Sequence, residues 1–300
     1  MHEVIPLWSD DRPPPTTLDG SPPEVAYPAP AGVAAGMTFY RNISEPTLTV
    51  FEPEAGTANG VGVIVAPGGG WAINAWGHEG LGVATWLTTL GYTVFVLKYR
   101  VQASPASQAE FEAAQARVDG ALAAPFPHAS KPTAISQLIE TDAYLAAREA
   151  CADDGRRAIE IVRSEAARFH LRPESIGMLG FSAGAFLIVD VALDPRAAPL
   201  AFIAPIYGGE TRGVAVPADA PPLFTAVAQD DVLVRIAEGL HADWTGADRP
   251  SELHEFRRGG HGFGTVRQGM PSDAWMDLFV SWLRDLLPGA DVGGLATETA

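Results

Sequence analysis

Three hundred residues, 47% of them hydrophobic, are enough chain for one large α/β domain with a substantial core. Asp and Glu number 36 against 20 Lys and Arg, and the formal net charge of -16 repels nucleic-acid phosphates and anionic membrane surfaces, so neither is an expected partner. The single cysteine, Cys151, excludes an internal disulfide, and no run of eighteen apolar residues is present to span a bilayer.

The opening MHEVIPLWSDDRPPP lacks a charged segment followed by an apolar one, which makes the cytoplasm the default location unless a leader has been removed. The run SDDRPPPTTLDGSPPEVAYPAPAGVAAG is too proline-rich for helix or sheet ladder. Residues 1–35 are therefore expected to wrap the surface as an extended arm. The main domain is expected over 36–288. It opens with GMTFYRNI and TLTVFEP, two β-rich runs expected to pair at a sheet edge. Next come VGVIVAPG, a helix from about His78 to Leu90 closed by Gly91, and TVFVLKYR, together one βαβ unit.

An insert follows over about 101–150, longer than an ordinary connection. In ASQAEFEAAQARVDGALAA, Phe111, Ala114, Val118 and Leu122 recur at helical spacing, which suggests a helical cap over the carboxyl edge of the sheet; the alternative is a solvated excursion away from any site. Alternation resumes with a helix near 153–169, where Ile159, Val162, Ala166 and Phe169 share one face. SIGMLGFS, LAFIAPIYG, PLFTAVAQ and ELHEFRR then read as strands, and 183–193, 233–247 and 272–287 as helices. The fold class is α/β: about eight strands in a mostly parallel, doubly wound sheet. Residues 289–300 are expected to be a flexible tail.

Chemistry concentrates in four places. GFSAG, Gly180 to Gly184, matches G-x-S-x-G directly after an apolar strand and before an apolar helix, so Ser182 sits where a nucleophile is exposed on a sharp turn. A serine hydroxyl needs a base within hydrogen-bond reach. His261, in the glycine-rich loop RRGGHGFG after the last strand, is better placed than the other histidines. A carboxylate to orient that imidazole should follow the intervening strand, where Asp230 and Asp231 both qualify. The turn PGGGW after VGVIVA offers the amides of Gly69 and Gly70 to an oxyanion, joined by that of Ala183, the residue after the serine. Trp71, Trp76 and Phe181 are candidates to line a substrate pocket, although large aromatics are more often core. Glu79 opens a helix, where a carboxylate usually serves the dipole; HEG is not a zinc motif, and neither a P-loop nor a dinucleotide fingerprint is present, so no metal or cofactor is expected.

These residues carry a resemblance. IPLW, SEPTLTVFEPE, VIVAPGGGW, HEGLGVATWL, FVLKYR, DDGRRAIEIVR, SIGMLGFSAG, AQDD and GGHGFG occur in the order of a carbohydrate-esterase-like group of α/β hydrolases, which includes bacterial acetyl xylan esterases and bifunctional acetyl xylan and feruloyl esterases. In relatives the acid precedes a short segment ending in valine, as Asp231 precedes Val232 to Val234. The resemblance therefore implies a triad of Ser182, Asp231 and His261, oxyanion donors at Gly69, Gly70 and Ala183, and cofactor-free hydrolysis of short-chain esters of small molecules or oligosaccharides. The insert is longer than the family pattern, and a cap of that bulk would reshape the pocket against polymeric xylan. Two rivals are a serine peptidase of the prolyl-oligopeptidase type, for which the arm is too short to form a β-propeller, and a catalytically silent receptor or scaffold on the same fold, which would be marked by a broken triad.

Overall fold

The computed structural model describes residues 2–18, 20–29, 32–122 and 141–289, of which 117–122 by backbone only. Eight strands form one sheet in the order β1 (Glu3–Pro6), β4 (Thr47–Phe51), β7 (Thr93–Lys98), β5 (Gly62–Ala66), β8 (Ile176–Phe181), β9 (Ile203–Ile206), β10 (Leu223–Ala228) and β11 (Ser251–Phe256). From β7 to β11 every neighbour is parallel, while β1 and β4 run antiparallel at one edge. Among the described residues six α-helices accompany the strands: α1 (Gly82–Thr88), α2 (Gln108–Leu122), α3 (Asp142–Ser164), α4 (Ala183–Ala192), α5 (Val234–Gly246) and α6 (Trp275–Leu286).

The central strands are buried on both faces, and their alternation divides the core in two. Ile64 and Ala66, Phe95 and Leu97, and Ile176 and Met178 point to one side, where Cys151, Ile159 and Val162 of α3 and Phe186, Leu187 and Val189 of α4 cover them. Val63 and Val65, Val94 and Val96, and Leu179 and Phe181 point to the other, against Val83 and Leu87 of α1 and Trp275, Phe279 and Leu283 of α6. A parallel strand covered by helices on both sides needs apolar residues at every position, which is why these runs are continuous rather than alternating.

The expected number of strands holds, but their membership does not. Thr38–Arg41 (β3) does not pair with β4. It joins Val25–Pro28 (β2) and Ile73–Asn74 (β6) in a separate three-stranded sheet. Asn42, in the left-handed region at φ 56, turns the chain away after β3, and the buried Arg41 guanidinium is held there by the carbonyls of Pro105 and Ala106. The residues before 36 are likewise more than surface chain. β1 takes the edge place beside β4, and β2 forms a ladder because its proline, Pro28, falls at the strand's end.

The arm is tied down by a buried ion pair. Arg100, at the end of β7, donates from Nε and Nη2 to Asp154 on α3, whose carboxylate also accepts the Arg100 amide and the indole N–H of Trp8. Arg100 also donates to the carbonyls of Thr16 and Ala150. Both partners are buried. Burial pushes the Asp154 carboxyl up, against the pull of Arg100. Removing one partner strands the other charge, so Arg100→Met is expected to cost about 3–5 kcal/mol in chemical denaturation; an unchanged midpoint would show that the pair does not anchor the arm.

Two helix boundaries differ from expectation. The helix expected near 153 begins at Asp142, where Thr141 caps it by accepting the Tyr144 amide, and it ends at Ser164, leaving Ala166 and Phe169 in the turns beyond. Roughly its first two and a half turns thus come from the presumed insert. The helix expected from His78 opens instead as a π-helical turn, Trp76–Leu81, before α1. In α2, Phe111 is buried against Tyr27 of β2 and beneath the Arg41 guanidinium. Ala114 is half-buried, the side chains of Val118 and Leu122 lie outside the described residues, and so do 123–140 and the tail from 290.

Candidate active site

The sheet register brings the chemically interesting loops together. Ala66 pairs with Gly180, Phe181 with Ile206, and Ala228 with Phe256, so the segments after β5, β8, β10 and β11 all leave at the carboxyl edge, where open α/β sheets form their sites. Ser182 follows β8 immediately and holds φ 48, ψ -115, a positive φ forced on a residue with a β-carbon. The turn closes only because its neighbours are small: a β-carbon on Gly184 would lie 2.0 Å from the Ala66 carbonyl oxygen, and one on Gly180 would lie 2.4 Å from that of Gly184.

Ser182 Oγ lies 2.9 Å from Nε2 of His261. The Nδ1 of the same imidazole lies 2.9 and 3.0 Å from the two carboxylate oxygens of Asp231. Asp231 is buried, and its Oδ1 also accepts the Leu233 amide at 2.7 Å. Burial pulls the His261 pKa down, but the Asp231 charge and hydrogen bond, with the charge of Glu79 behind them, outweigh it, and the pKa is raised. Asp230 points elsewhere: its Oδ1 accepts the amides of Gly259 and Gly260 at 3.0 and 2.8 Å and braces the root of the histidine loop. Of the two aspartates left open by the sequence, Asp230 therefore braces a loop and does not touch the imidazole.

The glycine turn lies against the serine. A β-carbon on Gly68 would meet the Phe181 carbonyl oxygen and Ser182 Cβ, both at 2.9 Å. Gly69 sits at φ 130 with its own carbonyl accepting the amides of Ala72 and Ile73, and Gly70 at φ 59. The carbonyl of Gly70 accepts the phenolic O–H of Tyr144 at 2.8 Å, so the first turn of α3 reaches the site although the sequence placed it in an insert. Burial raises the Tyr144 pKa to about 12, which keeps that donor protonated. Ala183 is the first residue of α4, where amides are free of intrahelical acceptors.

The aromatic candidates separate. Trp71 is buried beside the turn, its ring 5.2 Å from Tyr144 and 5.4 Å from Phe186. Phe181, expected at the substrate, is instead fully buried on the other face of the sheet between Tyr207 and Trp275. The cause is simple: Phe181 is the last residue of a strand buried on both sides, and its position alternates away from the site. Trp76 packs edge-on against Tyr40.

Two residues that the sequence did not assign to the site stand behind it. Glu79, expected to serve a helix dipole, is buried; its Oε2 accepts the Gly68 amide at 2.7 Å, and its Oε1 accepts the Tyr207 O–H at 2.5 Å. Tyr207, directly after β9, packs its ring edge-on to His261 at 5.0 Å, and its oxygen accepts the Gly264 amide at 3.1 Å. Neither carries a distinguishing local signal: in sequence Glu79 is a carboxylate in HEG and Tyr207 the end of an apolar strand. Among the described residues no cluster of three metal-ligating side chains occurs, and no helix is long and apolar enough to cross a membrane.

No family model and no curated protein matches the sequence. Solved structures do resemble the chain. An acetyl ester-xyloside bifunctional hydrolase from Caldicellulosiruptor lactoaceticus superposes with a TM-score of 0.63 at 23% identity, covering 95% of this chain and 96% of its own. The butyrate-bound esterase Est2 of Thermogutta terrifontis gives 0.56 at 15%, covering 84% and 92%. MGS-M1, an α/β-hydrolase enzyme from a deep-sea metagenome library, gives 0.56 at 18%, covering 81% and 92%. At these identities the likeness is one of architecture, and with the eight-stranded, mostly parallel sheet and its helices it gives the chain the α/β-hydrolase fold.

Proposed function

We propose that the protein is a carboxylic ester hydrolase that works through an acyl-enzyme on Ser182. The observation that carries this reading is the hydrogen-bonded line from Ser182 Oγ to His261 Nε2 and from His261 Nδ1 to Asp231, each step at 2.9 Å. His261 accepts the Ser182 proton as Oγ attacks the ester carbon, and Asp231 holds the imidazole in the tautomer that leaves Nε2 free to accept it. The amides of Gly69, Gly70 and Ala183 receive the oxyanion. Collapse of the tetrahedral intermediate expels the alcohol, which takes its proton from Nε2. Water then attacks the acyl group with His261 again as base, releasing the acid and restoring the serine. No step calls for a cofactor.

Short acyl groups are the proposed substrate class, with alcohols that include small carbohydrates. The Caldicellulosiruptor protein is an acetyl ester-xyloside hydrolase and the Thermogutta esterase holds butyrate, which favours that range. Hydrolysis of p-nitrophenyl acetate and of acetylated xylo-oligosaccharides, by wild type and by Ser182→Ala, tests the proposal. Serine-dependent acetate release from both supports a carbohydrate esterase. Activity confined to the aryl ester restricts the enzyme to smaller alcohols, and silence on both removes the esterase reading.

The pH profile follows from the site. His261 works only as the neutral base, and the negative groups around it favour the imidazolium, so protonation persists to higher pH than in a free histidine. The acid limb of kcat/KM is therefore expected to have its midpoint above the ordinary histidine value of 6.5. A midpoint below 6.5 would contradict the electrostatics of the site.

A further inference from the structure

The π-helical turn Trp76–Leu81 touches both halves of the site. On one side the buried Glu79 accepts the Gly68 amide, the first residue of the glycine turn after Pro67. On the other, the His78 carbonyl accepts the amide and hydroxyl of Thr265 at 3.3 and 2.7 Å, and the histidine loop passes so close that a β-carbon on Gly264 would lie 2.6 Å from His78 Cδ2. Tyr207 completes the link, donating to Glu79 and accepting from Gly264 while its ring supports His261 and Phe263. π-Helical turns are rare and concentrate at functional sites. A buried carboxylate is costly to the fold unless it is fully partnered. Here its partners are the glycine turn and the support of the catalytic imidazole.

We propose that Glu79 is a positioning residue that holds the oxyanion turn and the His261 loop in register, acting on the turn through the Gly68 amide and on the histidine through Tyr207. This rests on the ester-hydrolase reading above. Ser182 Oγ contacts His261 Nε2, Asp231 contacts Nδ1, the Tyr207 ring lies against the imidazole, and Asp230 braces the loop at Gly259 and Gly260. Behind Tyr207, Glu79 is the second negative group near the imidazole, with His78 Nε2 at 3.5 Å from its Oε1. Its charge adds to that of Asp231 in favouring the imidazolium that forms during each proton transfer. Removing it loosens both the donors and the base, so the loss should fall on the chemical step rather than on substrate binding.

Glu79→Gln keeps the volume and an acceptor but loses the charge, and Tyr207→Phe keeps the ring but removes the hydroxyl that donates to Glu79 and accepts from Gly264. In Glu79→Gln, kcat is expected to fall about 10- to 100-fold with KM within about twofold of wild type, and the acid limb should move to lower pH. Tyr207→Phe should lose about tenfold in kcat with a smaller displacement. NMR titration of the His261 imidazole in the ligand-free protein gives a readout that needs no turnover; its midpoint should fall in Glu79→Gln. If wild type lacks serine-dependent esterase activity, the reading of the site fails, while the titration still decides whether Glu79 acts on His261. Wild-type kcat and an unmoved titration in both variants would overturn the proposal, as would a loss confined to KM or to thermal stability.

Discussion

Ser182→Ala and His261→Ala are each expected to lower kcat by about 10⁴- to 10⁶-fold while leaving the fold intact, and the double variant is expected to be no worse than either single one. The size of the effect comes from the chemistry. A hydroxyl without a base is a poor nucleophile, and an imidazole without its serine can at best activate water. The non-additivity follows because one proton moves between the two groups over 2.9 Å. What survives should come from the glycine turn and the Ala183 amide, which still stabilise an oxyanion formed by water attack. Folding should be unaffected, since Ser182→Ala removes one hydroxyl and leaves the strained turn to its flanking glycines. Steady-state kinetics with circular dichroism on each variant checks this. Losses that multiply in the double variant would mean that the two side chains act independently.

Asp231→Asn is expected to cost about 10⁴-fold in kcat, and Asp230→Asn about tenfold at most. The two residues are adjacent, yet they hold different partners. Asp231 is buried with both oxygens on His261 Nδ1. An asparagine there can present its amide N–H₂ to Nδ1, which selects the tautomer that leaves Nε2 protonated and unable to accept from the serine. Asp230 is exposed and accepts two glycine amides, a task that an asparagine oxygen still performs, with weaker bonds. A larger loss at Asp230 would place the acid one residue earlier and break the hydrogen-bonded line described above.

The sequence made much of this architecture legible because parallel strands and their crossovers are written locally. VGVIVA, TVFVLKYR and SIGMLGFS are continuous apolar runs because both faces are covered, and GFSAG carries its turn in its own glycines. What escaped was set by distant partners. β1 is four residues long and recognisable only by its pairing with β4. β3 looked like a neighbour of β4 because the two are close in sequence, but the buried demands of Arg41 and the turn at Asn42 sent it to another sheet. The helical pattern of Asp142 to Ala150 was absorbed into the insert, although Trp8, Arg100 and Asp154 tie α3 to the sheet and Tyr144 carries its first turn to the glycine loop.

The same distinction applies to the site. Ser182, His261 and the glycine turn follow from motif and position, and the sequence left Asp230 and Asp231 both open until relatives were considered. Glu79 and Tyr207 are 128 residues apart, and neither has a local pattern that separates it from a dipole-serving carboxylate or a core tyrosine. Phe181 was misplaced for a related reason. Adjacency to Ser182 in sequence means the opposite face of the sheet when the side-chain period is two.

The most direct test of the central claim is mass spectrometry after brief exposure to a fluorophosphonate. Phosphonylation of one equivalent per chain, mapped to the peptide carrying Ser182, suppressed in His261→Ala and absent in Ser182→Ala, is the predicted result. A folded wild-type protein that takes up no label, or that takes it up at another residue, would contradict the assignment of Ser182 as an activated nucleophile.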